Sequence, residues 1–316
     1  MITAMLSLQP VNPFARLKAR NVLIWFFVSL ILSVICCEVI ASFIGLNSED
    51  PIVSEILFSI VHFLMYGSTC LWILQRYRQL QINPQDVVGK LPSGYKWLSI
   101  AGLVIVLDLL FCIGFLFVLF GLLSLFAPEF LESLFNSTAE PLASSSPIYY
   151  NLVMIFSAVV FAPITEEFIF RGFLLHRWGT KWGITPAILV SSMIFGLCHP
   201  GVSVATASIG GIVYSLLYLR SRTLIIPIVA HALNNAIVTG LMLFPDSAST
   251  VSTVSESSSA FDALMLGLFG LFCIALSAPF IIHFIYKKWP NQRMSLPYWL
   301  NRKSRKSNGC GAISFE

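Results

Sequence analysis

Apolar residues run along this chain in eight long stretches, at about 22–46, 52–74, 97–126, 149–175, 184–199, 202–219, 223–244 and 263–286. About 20 residues of helix, each rising 1.5 Å, cross the hydrocarbon of a bilayer. The pattern therefore predicts an all-α, polytopic membrane protein with about eight transmembrane helices. The fifth and sixth stretches are short, and Pro200-Gly201 between them predicts a tight hairpin. The Ser-rich stretch 247–259 predicts an external loop.

Composition agrees with this pattern. The chain is 57% hydrophobic and 11% charged, with a mean hydropathy of +0.83. Soluble domains carry about 25% charged residues. A soluble domain is excluded, and the formal net charge of +4 reads as membrane orientation rather than nucleic-acid binding. Of 19 Lys and Arg, all but Arg171 fall at 16–20, 75–96, 176–183, 220–222 and after 286. The loops at 47–51, 127–148 and 245–262 carry only acidic charges, among them Glu49, Asp50, Glu129 and Asp262. With eight helices the basic segments share one side. The positive-inside rule then puts both termini in the cytoplasm, and in a bacterium the expected location is the cell membrane. Arg302, Lys303, Arg305 and Lys306 are expected to face either anionic headgroups or solvent. The cysteines number seven, and six of them lie in predicted spans, which argues against a disulfide framework.

Charge inside the apolar stretches divides the chain. Residues 1–148 hold helices one to three, with only Glu38, Glu55, His62 and Asp108 as isolated polar groups. These, like His283, are expected to bond locally or to sit near headgroups. Residues 149–245 hold a dense set of ionisable groups and form the expected functional core. Residues 246–316 supply the last helix and a basic tail.

That core opens with Glu166-Glu167-Phe168-Ile169-Phe170-Arg171. An ionisable group at membrane depth costs roughly 2.5–3.5 kcal/mol on insertion scales, so it is rare and usually functional. Glu167 and Arg171 stand at i and i+4 with the acid first, the favourable order for a helical pair. Glu166 points roughly 100° away around the helix and has no local cation. The spacing therefore makes Glu167 and Arg171 a supporting pair and leaves Glu166 as a candidate general base. His231 and Asn235 are also i and i+4, and two donors aimed at one point can stabilise an oxyanion. His199 follows Phe195 by one turn and can share a water with Glu166. A proton relay in a transporter uses the same residue types. Paired broken helices and an inverted repeat, which would favour a transporter, are absent from the pattern.

Glu-Glu-x-x-x-Arg, then Phe-x-x-x-His, then His-x-x-x-Asn, in that order across 149–245, resembles the CPBP (Abi) family of CAAX-processing endopeptidases and bacteriocin-immunity-type proteins. The resemblance implies an intramembrane endopeptidase that hydrolyses a peptide bond of a membrane-associated protein. Prenylated C-terminal peptides are the family's best-known substrate class. Carried over, Glu166 and His199 activate water, His231 and Asn235 form the oxyanion site, and Glu167 and Arg171 support Glu166. The family is often labelled metalloprotease. Glu166, His199 and His231 are a conceivable zinc set, although no His-Glu-x-x-His motif accompanies them. A glutamate-activated water without metal is the other reading. The alternative to an enzyme is a catalytically idle scaffold or immunity factor that binds another membrane protein.

One expectation conflicts with the rest. Counted along their helices, Glu166 and His231 lie roughly 12–14 Å from the basic end, whereas His199 lies near 23 Å. The three meet only if helix five tilts strongly or if 176–186 dips into the membrane as irregular backbone.

Overall fold

The computed structural model describes residues 12–47, 50–91, 96–131, 148–199, 203–242, 260–291 and 294–310, and all regular structure among them is helical. The chain is an all-α integral membrane protein. After a 3-10 turn at Pro13–Arg16 come α1 (Ala19–Phe43), α2 (Pro51–Gln79), the short α3 (Pro84–Val88) and α4 (Trp97–Phe126). The long helix α5 runs from Ile148 to Trp182. It is followed by α6 (Ile184–Leu197), α7 (Ser203–Ser221), α8 (Ile225–Met242), α9 (Ala260–Lys288) and α10 (Pro297–Cys310). The Pro200-Gly201 hairpin and the 247–259 loop lie outside the described residues.

Every one of the eight apolar stretches is helical, but not every one is a full span. By length and composition, α1, α2, α4, α5 and α9 can cross a membrane. At 14 residues, α6 is roughly 21 Å long, short of the roughly 30 Å hydrocarbon. Helix α8 is also short and apolar. In α7 the side chains of Val213 to Leu219 are all buried, so protein rather than lipid surrounds its second half.

Local chemistry sets the ends. Asp50 caps α2 by accepting the Ile52 and Val53 N–H groups at 2.9 and 3.2 Å. Gly183 has φ +90°, a conformation open to glycine, and it turns the chain between α5 and α6. The helical stretch expected to end at 175 is corrected: residues 176–182 continue α5 as helix. Those seven residues add roughly 10 Å to the depth of Glu166. Glu166 and His199 now stand 17 and 16 residues from Gly183 on the two arms of one hairpin. Those two therefore lie at the same level without strong tilt of α6 or irregular backbone between them.

Two seams join the helices. In the first, α4 meets α9 through glycines. A Cβ on Gly270 would stand 2.6 Å from the Gly114 carbonyl oxygen, and one on Gly114 would stand 2.7 Å from that of Gly270. Small residues of this kind let transmembrane backbones touch. In the second, α5, α6, α7 and α8 pack around buried charge.

Candidate active site

Helix α5 is not uniform. The segment Ala162–Glu167 is α-helical, and π-helical turns flank it at Ser157–Phe161 and Phe168–Leu175. Pro163 explains the first. Proline has no N–H and its ring crowds the preceding turn. The Ala162 N–H bonds back to the Ser157 oxygen, so the Ala158 carbonyl loses its usual partner. Asn235 of α8 takes that carbonyl, its Nδ2 donating at 2.8 Å. The second π turn frees further carbonyls, and two side chains occupy them. Tyr77 donates to the Gly172 oxygen at 2.8 Å, and His176 Nδ1 lies 3.0 Å from the Arg171 oxygen. Such π turns recur at functional sites. Here they bracket the two glutamates.

The Glu167–Arg171 pair forms at 2.7 Å with both side chains wholly buried. Arg171 also donates to the Gly211 carbonyl at 2.9 Å. Its guanidinium lies 4.6 Å from the Phe195 ring centre and 5.4 Å from that of Tyr214. Cation–π contact of this kind offsets part of the cost of burial. Gly211 has a second task. A Cβ there would come within 2.9–3.0 Å of Ser192, so its absence lets α6 and α7 close over the arginine.

Glu167 holds His231 as well, with Nδ1 3.1 Å from Oε1. This bond leaves Nε2 pointing at the second glutamate, 3.9 Å from Glu166 Oε2. That gap is too long for a direct hydrogen bond. Glu166 Oε2 is buried and has no hydrogen-bond partner. Tyr214 stacks on the other face of the imidazole, with ring centres 4.9 Å apart. Arginine, glutamate, histidine and glutamate thus form one chain of contacts that ends on an unpaired carboxylate oxygen.

The structure brings Arg171, Glu167, His231 and Glu166 together in that order, each beside the next. His199 stands one ring away: Phe195 lies 4.7 Å from His199 and 5.6 Å from His231, centre to centre. His199 Nδ1 faces its own Phe195 carbonyl at 2.8 Å, which leaves Nε2 as the outward nitrogen. Asn235 uses one amide N–H on Ala158 and keeps a second. Its Oδ1 accepts from Asn234 Nδ2 at 3.3 Å.

Sequence reasoning missed several residues of this site. His62 was expected to bond locally. Instead its Nε2 is buried without a partner, its ring stacks on Tyr66 at 4.5 Å, and it lies close enough to Glu166 and His199 to feel their charge. Tyr66 likewise approaches Glu166. His62 and Tyr66 share a face of α2 at i and i+4, a spacing visible in the sequence, but nothing there shows that α2 closes the site.

Among the described residues no three His, Cys, Asp or Glu side chains converge as a metal site. The bond from His231 Nδ1 to Glu167 leaves Nε2 free, an arrangement also found in metal-binding histidines. No step below is routed through a metal.

Comparison with known proteins places the chain. Residues 148–237 match the family described as type II CAAX prenyl endopeptidase Rce1-like. A protein of Escherichia coli described as "Uncharacterized 24.3 kDa protein" is 28% identical over 179 residues, covering 54% of this chain and 75% of that protein. "Putative membrane peptidase YdiL" of Bacillus subtilis is 34% identical over 95 residues, covering 30% of this chain and 38% of that protein. No solved structure matches. The likeness covers α5 to α8, the helices that carry the buried charges, and is to a family of membrane endopeptidases.

Proposed function

We propose that the chain hydrolyses a peptide bond in a membrane-associated protein, including substrates lipidated at their C-terminus, with Glu166 activating the water. The observation that carries this reading is the buried, unpartnered Oε2 of Glu166, 3.9 Å from His231 Nε2. A water that donates to Glu166 can bridge two such groups as a third partner. Glu166 takes a proton from the water, and the resulting hydroxide attacks the carbonyl carbon. His231, when protonated on Nε2, and the second N–H of Asn235 donate to the oxyanion that develops. His199 faces the same water from α6. Collapse of the tetrahedral adduct breaks the C–N bond, and the proton held by Glu166 passes to the leaving amine. Arg171 and Glu167 touch no substrate; they fix the His231 ring.

The test is cleavage of quenched fluorescent peptides, some lipidated at a C-terminal cysteine, by purified protein in detergent. Glu166→Gln keeps the shape and removes the base. It should lower turnover by about 10²–10⁴-fold or more while thermal unfolding stays where it was. Normal turnover in that variant would sink the mechanism. Wild-type cleavage should persist in a zinc chelator, and its loss there would restore the metal reading.

A further inference from the structure

A second site lies at the other end of α5. Between the start of α1 and the end of α5 is a cavity of about 490 Å³, within the range of small-molecule sites. Four cations line it: Lys18, Arg20, Arg177 and Lys181. The ion pairs among the described residues lie elsewhere. Among the described residues no acid lines this cavity. Its remaining walls are apolar, chiefly Leu23, Trp178 and Trp182.

The cavity is held open by its own frame. Asn12 Nδ2 donates to Thr180 Oγ1 at 2.9 Å, and Phe14 stacks on His176 with ring centres 4.7 Å apart. These contacts fix the chain leading into α1 against α5. The two tryptophans stack at 5.9 Å, and Lys181 Nζ lies 4.9 Å from the Trp182 ring centre.

Its level in the molecule is equally definite. One turn beyond Arg20, α1 turns apolar side chains outward: Ile24, Phe27 and Ile31 are 59%, 60% and 58% exposed. The cavity therefore sits where the lipid-facing surface begins, with cations on one side and aliphatic surface on the other. Tryptophan is enriched at that boundary, and basic pockets between helices there attract phosphate headgroups.

We propose that this cavity binds the headgroup of an anionic phospholipid. Lys18, Arg20, Arg177 and Lys181 meet the phosphate, and the acyl chains run along Leu23 and the outward face of α1. Arg177 is eleven residues from Glu166 along α5, roughly 16 Å. The site is thus separate from the glutamates, yet it grips the same helix. It does not depend on the protease reading.

The test exchanges the purified full chain into nanodiscs of phosphatidylcholine with a minor fraction of phosphatidylglycerol, followed by native mass spectrometry of the retained lipid. Wild type should keep phosphatidylglycerol in preference to phosphatidylcholine. Each basic residue near a charged lipid contributes roughly fivefold. The combined variant Lys18→Gln, Arg20→Gln, Arg177→Gln, Lys181→Gln should therefore lose about 100-fold or more in retention. The charge-keeping pair Lys18→Arg, Lys181→Arg should retain it. Wild type with no preference would overturn the proposal even if the combined variant failed to fold. So would undiminished retention in a folded combined variant. Soluble glycerol phosphate should not displace the lipid at millimolar concentration; displacement would assign the site to a free phosphate ester instead.

Discussion

The two seams of this bundle solve the same problem with opposite chemistry. Helices α4 and α9 meet through Gly114 and Gly270, whose backbones approach until no Cβ fits between them. Helices α5, α7 and α8 meet through Arg171 on the Gly211 carbonyl at 2.9 Å and Glu167 on His231 at 3.1 Å. Lipid supplies no hydrophobic force to press helices together, so contact relies on close packing or on polar bonds. The glycine seam needs only a smooth surface. The charged seam costs desolvation of every ion in it, and packing alone gives no reason to bear that cost. What it provides is one carboxylate oxygen, Glu166 Oε2, left without a partner beside an oriented imidazole. The comparison favours the proposed function over stability as the account of the polar seam.

Substitutions sharpen the contrast. The largest effect on stability is expected at Arg171. Arg171→Met removes the cation and leaves Glu167 buried, which should cost about 3–5 kcal/mol. Thermal unfolding in detergent and peptide cleavage should fall together. Undisturbed unfolding with lost activity would instead give Arg171 a direct catalytic role. In the other seam, Gly270→Leu forces atoms into the Gly114 carbonyl and should cost about 1–3 kcal/mol. It should lower the unfolding temperature while the protein that remains folded cleaves at a normal rate. A specific loss of turnover would show that the two seams are coupled. The smallest effect is expected at Tyr77. Tyr77→Phe leaves the Gly172 carbonyl of the second π turn unbonded and should cost about 1 kcal/mol. A modest fall in turnover at unchanged substrate affinity would mark it as a residue that positions α5.

Reading the sequence found the ingredients of the site through spacing. The interval of four between Glu167 and Arg171 predicts their pair, because residues one helical turn apart share a face whatever surrounds them. The same argument paired His231 with Asn235. It could not show that Asn235 spends an N–H on Ala158, since that bond joins α8 to a π turn on α5. Nor could it see the π turns themselves, although Pro163, the cause of the first, stands in the sequence. The depth conflict arose from ending a helix at 175, where the apolar run stops. Hydropathy reports where lipid contact ends; the helix itself runs on through Trp182 beneath the N-terminal turn and the C-terminal helix.

The sequence by itself therefore determined the all-helical membrane class, the eight helical stretches and the residue types of the core. Those follow from hydrophobic length and from the 3.6-residue turn, which are local properties. Only the tertiary structure decided that His231 lies between two glutamates, that His62 and Tyr66 stand near Glu166, and that four cations line one cavity. These depend on which helices meet and at what level. Long-range packing fixes that, and no spacing along the chain encodes it.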